Sequence, residues 1–176
     1  MDGTTTTLPH PHPDPFVMVL TNDETQPCPV DPAGVPAAGP AGLLSCVTAA
    51  LAAGDVAEAR ARAERLGARL TAERGHDHPD TIGILTVHAW LALIDPATAW
   101  SAETLQLLLK VAERRFVADA DPRTDTTRVI RNAHALWRHI SVEDPETARE
   151  TAAPLLALLQ DDPRRTRDVL EWACAG

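Results

Sequence analysis

The sequence predicts an all-α protein built as a short stack of antiparallel helix pairs. Three observations point there. Ala and Leu carry most of the apolar content, with no Tyr and only two Phe, a bias that favours helix over strand. Apolar residues recur at helical spacing from about residue 42 onward. Aspartates followed by proline, and glycines after periodic runs, mark repeated helix starts and stops.

Taken in order, the signals predict seven helices. The first, 42–53, is spaced through Leu44, Val47 and Leu51 and stops at Gly54. Asp55 caps the second, 55–74, whose stripe is Val56, Ala59, Ala63, Leu66 and Leu70, with Gly75 in the position a terminating glycine takes. In "GHDHPDTI" Pro79 stands outside the third helix, 80–94, and Asp80 caps it. Asp95-Pro96, Asp144-Pro145 and Asp162-Pro163 each offer an Asp cap and a proline at the first helical position, opening helices 97–118, 145–160 and 163–174. Thr124 or Asp125 caps the fifth helix, 125–140. Its buried stripe is Val129, Ala133, Leu136, Trp137 and Ile140, and that of 97–118 is Leu105, Leu108, Leu109, Ala112 and Phe116. Pro154 falls inside its helix and predicts a kink.

The first forty residues differ in character. They hold nine of the fifteen prolines and no Lys or Arg, so residues 1–40 are expected to form a disordered, Pro-rich acidic tail ahead of a helical domain at 41–176. One apolar island, Phe16–Leu20, interrupts the tail and reads either as a patch resting on the body or as a linear binding motif. The net charge of −9 argues against nucleic acid and acidic membrane surfaces as partners. No stretch resembles a secretory signal or approaches the ~18–20 apolar residues of a membrane helix. Cys28, Cys46 and Cys174, an odd number at wide spacing, read as reduced thiols of a cytoplasmic protein.

Two segments echo each other. "DTIGILTVHAWLALIDPATA" begins at Asp80 and "DTTRVIRNAHALWRHISVEDPETA" at Asp125, an offset of 45 to 49 residues depending on the gap. A fixed-period helix pair suggests an α-solenoid. Within the first such unit, "LAAGDVAEARARAERLGARLTAERGHDHPDTI" resembles a tetratricopeptide repeat of the kinesin-light-chain-like type. Gly54, Asp55, Ala59, Ala63, Gly75, Asp77, His78, Pro79, Asp80 and Thr81 carry the resemblance. It is strongest over about 42–94 and degenerate over 95–160. It implies that helix 163–174 caps the last repeat and that the first helix of each pair lines a concave groove. The family often places a peptide-clamping Asn there. Thr86 and Val87 occupy that region in one repeat, and Arg131 and Asn132 in the next, where only Asn132 keeps the type.

The candidate sites divide by chemistry. His76 and His78 form a His-x-His that supplies two metal ligands where three or four are needed. His88 and His134 take equivalent repeat positions, as if to face each other, but lack metal-ligand spacing. Ser45, Ser101 and Ser141 lie in no nucleophile elbow, and no phosphate-cradling Gly loop occurs. No cofactor, metal or catalytic residue is therefore assigned. Arg128, Arg131, Arg138, His139 and Asn132 are read onto one helix face, either as a solvated surface or as a basic groove for an acidic segment, the chain's own tail included. Arg164, Arg165 and Arg167 are weaker nucleic-acid candidates against the net charge. Of the four tryptophans, Trp90 is the best groove anchor.

The expected function is a non-catalytic interaction module, an adaptor or regulator in a bacterial signalling or biosynthetic assembly. Thr86, Trp90, Arg128, Arg131, Asn132 and His139 are its expected partner-binding residues, and the partner is a protein or peptide, with an acidic segment among the candidates. Homodimerisation is an open possibility. The alternatives are a helical regulatory subunit that acts through its tail, and a metal-dependent or other enzyme.

Overall fold

The computed structural model describes residues 40–175, and the environment of side chains from 44 to 174. The tail and its Phe16–Leu20 island lie outside the described residues, apart from Pro40. Seven helices follow one another: α1 (Pro40–Ala52), α2 (Val56–Arg74), α3 (Pro79–Ile94), α4 (Ala102–Val117), α5 (Arg123–Glu143), α6 (Pro145–Leu158) and α7 (Pro163–Ala175). The described residues are thus all-α. Each helix packs on the next, antiparallel-like, as short connections require, and α4 also packs on α6.

Local chemistry explains most boundaries. The Asp55 carboxylate accepts from the Glu58 N–H at 3.0 Å, Asp144 from Thr147 N–H at 3.1 Å, and Asp162 from Arg165 N–H at 3.1 Å. Each satisfies an amide that the first helical turn leaves without an internal partner. Gly75 ends α2 at φ +89°, a backbone value that side chains with a Cβ rarely adopt.

Three starts depart from expectation. At the α2–α3 joint the cap is His78, not Asp80: its Nδ1 accepts from the Asp80 N–H at 3.2 Å, and Pro79 opens the helix. Asp80 falls in the first turn and pairs with Arg74. Asp95 does not open α4. Its Oδ1 holds the Ala97 N–H at 3.0 Å while its Oδ2 meets Arg60 Nε at 3.0 Å. The chain turns through 96–100, and Ser101 caps α4 by accepting from Thr104 N–H at 3.1 Å. α5 starts at Arg123, ahead of Thr124 and Asp125, with Pro122 before it and no side-chain cap.

Two apolar clusters fill the interior. The first joins α1, α2 and α3 through Val47, Ala63, Leu66, Leu70, Val87 and Leu91. At Gly67 a Cβ would meet Leu85 Cδ2 at 3.3 Å, so the missing side chain lets α2 and α3 close together. The second runs from Ala89 through α4, α5 and α6 to Val169 of α7, around the fully buried Trp137. Trp137 donates its Nε1–H to Ala148 O at 2.9 Å and meets Trp172 edge-on at 5.1 Å. The expected stripe of α5 is buried, as are Ala59, Ala63, Leu66 and Leu70 of α2 and Leu105, Leu108, Leu109 and Ala112 of α4, while Val56 at the start of α2 is half-buried. Phe116 is the exception in α4, at 50 % exposure. Cys46 is buried and disulfide-bonded, to a residue outside those described, so the expectation of reduced thiols fails there. Cys174 is free and exposed.

Candidate functional site

Helix α5 positions most of the candidate residues. Its apolar stripe faces the second cluster, which turns the opposite side outward. At 100° per residue that side divides into two rows. Arg128, Asn132, Ala135 and His139 form a half-buried flank, and Arg131, Arg138 and Val142 form an exposed ridge beside it. The single face expected from the sequence is therefore two adjacent strips of differing depth.

The start of α5 is held by an arginine that the sequence reading missed. Arg115 of α4 is 3 % exposed. Its Nε donates to Thr126 Oγ1 at 3.1 Å and its Nη1 to Thr86 Oγ1 at 3.3 Å. Its Nη2 points at the carbonyls of Ala120, Asp121 and Pro122, the last at 3.0 Å. Burial lowers its pKa from the usual arginine value, and Asp125 and Asp121 act the other way; a guanidinium remains charged regardless. One fork thus ties α3, the α4–α5 loop and α5 together. Nothing along the chain shows what surrounds Arg115, so no sequence signal singles it out.

This network settles the surroundings of Thr86. The residue is 3 % exposed, and its hydroxyl donates to Ile82 O at 2.8 Å while accepting from Arg115. It is a buried tie rather than a surface group. Trp90 is half-buried and packs against the first cluster, on the least covered stripe of α3 with Gly83 and Ile94. Arg128 Nη1 pairs with Asp125 Oδ1 at 3.2 Å. Arg131 is exposed and closes no ion pair among the described residues. Asn132 is half-buried on the flank.

His139 has a neighbour that spacing did not reveal. The turn between α3 and α4 brings the Trp100 ring to 4.8 Å from the imidazole, tilted by 56°. Trp100 keeps 36 % exposure and Val142, one turn along from His139, keeps 62 %. The Trp100–His139 pair therefore lies on the flank beside the ridge, and the ridge itself carries the apolar Val142. Further round α5, His134 is buried with its Nε2 3.0 Å from Asp168 Oδ2 of α7. Arg138 Nε reaches the same carboxylate at 3.5 Å. Burial lowers the His134 pKa, against a smaller opposing pull from Asp168. His88 is also lowered by burial, but its charged neighbours are Glu64 and Arg60 of α2. The two repeat-equivalent histidines therefore look toward different helices and not toward each other.

Among the described residues, no three His, Cys, Asp or Glu side chains converge as a metal ion requires, and no helix is long and apolar enough to cross a membrane. What the α5 surface offers is guanidinium groups for carboxylates and an adjoining strip for apolar side chains. Comparison with protein-family models, with curated proteins and with solved structures finds no match for this chain.

Proposed function

We propose that this protein is a non-catalytic interaction module, an adaptor or regulator, that receives an acidic segment of a partner protein along α5. The observation that carries the reading is the exposed Arg131–Arg138 ridge beside the Trp100–His139 pair and Val142. An aromatic group with charge-bearing neighbours is the usual make-up of a protein-binding hot spot. Charge complementarity there would set the rate and register of encounter. The tetratricopeptide-like repeat belongs to this reading. Successive helix pairs and the Gly54-Asp55 joint support it. In such an arrangement α3 and α5 are the groove-lining helices, which gives Trp90 its place as a second anchor.

The test is affinity capture with the intact chain, followed by titration of whichever partner is identified. Arg128→Ala with Arg131→Ala is expected to weaken that partner about tenfold or more, equivalent to about 1.4 kcal/mol, and to make the remaining binding less sensitive to salt. Deleting residues 1–40 is expected to leave binding intact. The reverse pattern, loss on deletion and indifference to the arginines, would assign the function to the tail instead.

A further inference from the structure

We infer that α7 is a cap released by acid: a proton added to His134 undocks it from α5 and α6 while the rest of the helical body stays folded. Such a release is a property of the fold and stands apart from partner binding along α5.

The attachment of α7 is local. It packs along α6, and its first turn is tied by Asp162, which accepts from Arg165 N–H, and by Thr166 Oγ1, which donates to Leu159 O at 2.9 Å. Beyond that turn it is held by the fully buried Val169 and by Trp172, edge-on to Trp137 at 5.1 Å, with the Arg149 guanidinium 5.8 Å from its ring. Arg164, Arg167, Leu170, Glu171 and Cys174 are exposed. A helix at the edge of a body, held by so few buried side chains, opens at lower cost than the whole structure unfolds.

The trigger is the contact with α5. His134 is buried, and its Nε2 lies 3.0 Å from Asp168 Oδ2 of α7. Asp168 and Arg165 face it from α7, and Arg138 stands one turn further along α5. The helices packed on α5 from the other side, α4 and α6, meet it with apolar groups such as Leu108, Ala112, Ala148 and Leu155, and Arg149 of α6 is turned to Trp172 instead. A protonated ring would be a cation out of water beside two guanidinium groups. The one carboxylate that could compensate it is 40 % exposed and already shared with Arg138 at 3.5 Å. Lifting α7 gives the ring water, takes Asp168 and Arg165 away, and leaves Arg138 without that carboxylate.

The direction follows from the same contacts. Burial lowers the His134 pKa from 6.5, Arg165 and Arg138 act the same way, and Asp168 opposes them. An undocked ring takes its proton near the ordinary value. Docking is therefore at full strength above 6.5 and weakens as pH falls below it, until the depressed value is passed. At pH 5 the loss cannot exceed about thirtyfold, the ratio set by about 1.5 pH units. Asp162 takes no part in this range. Its pKa is lowered from 3.8, first by the Arg165 N–H it accepts, so the cap of α7 stays charged.

Hydrogen exchange on the full-length protein at pH 7 and pH 5, corrected for the intrinsic effect of pH on amide exchange, tests this. Amides of 167–173 are expected to lose protection by at least about threefold and at most about thirtyfold, while those of α3 and α5 keep theirs. In His134→Gln the protection of α7 should not change with pH. Unchanged or greater protection of α7 at pH 5 would overturn the inference. So would a loss shared equally by α3 and α5, or one that persists in His134→Gln. Should that variant fail to fold, the wild-type imidazole followed by NMR decides. Titration of His134 below 6.5, with α7 alone losing protection over the same range, supports the release, and titration at or above 6.5 refutes it.

Discussion

Replacing Arg115 by Met probes the joint that holds α5 in place. The methionine keeps most of the stem volume and removes the fork. Five acceptors on three parts of the fold then lose their donor: Thr126 Oγ1, Thr86 Oγ1 and the carbonyls of 120, 121 and 122. Only the contacts to Thr126 at 3.1 Å and Pro122 at 3.0 Å are short enough to contribute fully. Hydrogen bonds to charged groups are worth about 1.5–3 kcal/mol each, giving roughly 3–6 kcal/mol. Relief from burying a charge offsets part of this, as does rehydration of the exposed loop carbonyls, which leaves a net loss of about 3 kcal/mol. A helical body of this length has about 7–20 kcal/mol in total, so the variant stays folded. Its midpoint of thermal unfolding, followed by helical circular dichroism, should fall by about 10 °C. Arg115→Lys should lose about 2 kcal/mol, since one ammonium cannot span hydroxyls on α3 and α5 and the loop together. Stability of Arg115→Met within about 1 kcal/mol of wild type would refute the assignment of a structural tie.

Two further outcomes follow from the packing. Asp95→Ala should cost about 2 kcal/mol by urea denaturation, since it breaks both the Arg60 pair and the hold on Ala97 N–H; Asp95→Asn, which keeps the turn, should cost about half as much. His88 and His134 both have pKa values lowered by burial from an ordinary 6.5. Their contribution to stability is therefore complete above that value and is lost as pH falls below it through the depressed values. Stability measured from pH 7 to pH 5 should decline less steeply in His88→Gln/His134→Gln than in wild type, and an unchanged slope would contradict the burial argument.

Much of the helix pattern was legible because its causes are local. Asp55, Asp144 and Asp162 act within one turn, and Gly75 acts on its own backbone. The stripes of α2 and α5 follow from period alone. Asp95 misled the reading because an Asp-Pro pair looks the same whether the carboxylate caps the next helix or is drawn inward by Arg60, thirty-five residues earlier. The candidate site was legible in part. Arg131, Asn132 and His139 belong to the outward side of α5, while Thr86 was placed at the groove by alignment and is instead buried under Arg115. The pairing of Trp100 with His139 was not legible because one lies in the α3–α4 turn and the other on α5, and no spacing connects them.

By itself, the sequence determined that this region forms helices, where most of them begin and end, and which faces of α2 and α5 turn inward. Those signals act over one or two turns of chain, where distance along the sequence is also distance in space. Only the tertiary structure decided that Arg115 is a buried tie, that Thr86 is its acceptor, that His88 and His134 look to different helices, and that Trp100 stands beside His139. Each of those depends on which helices pack together, and a residue's burial and partners are set by that packing rather than by its neighbours in the chain.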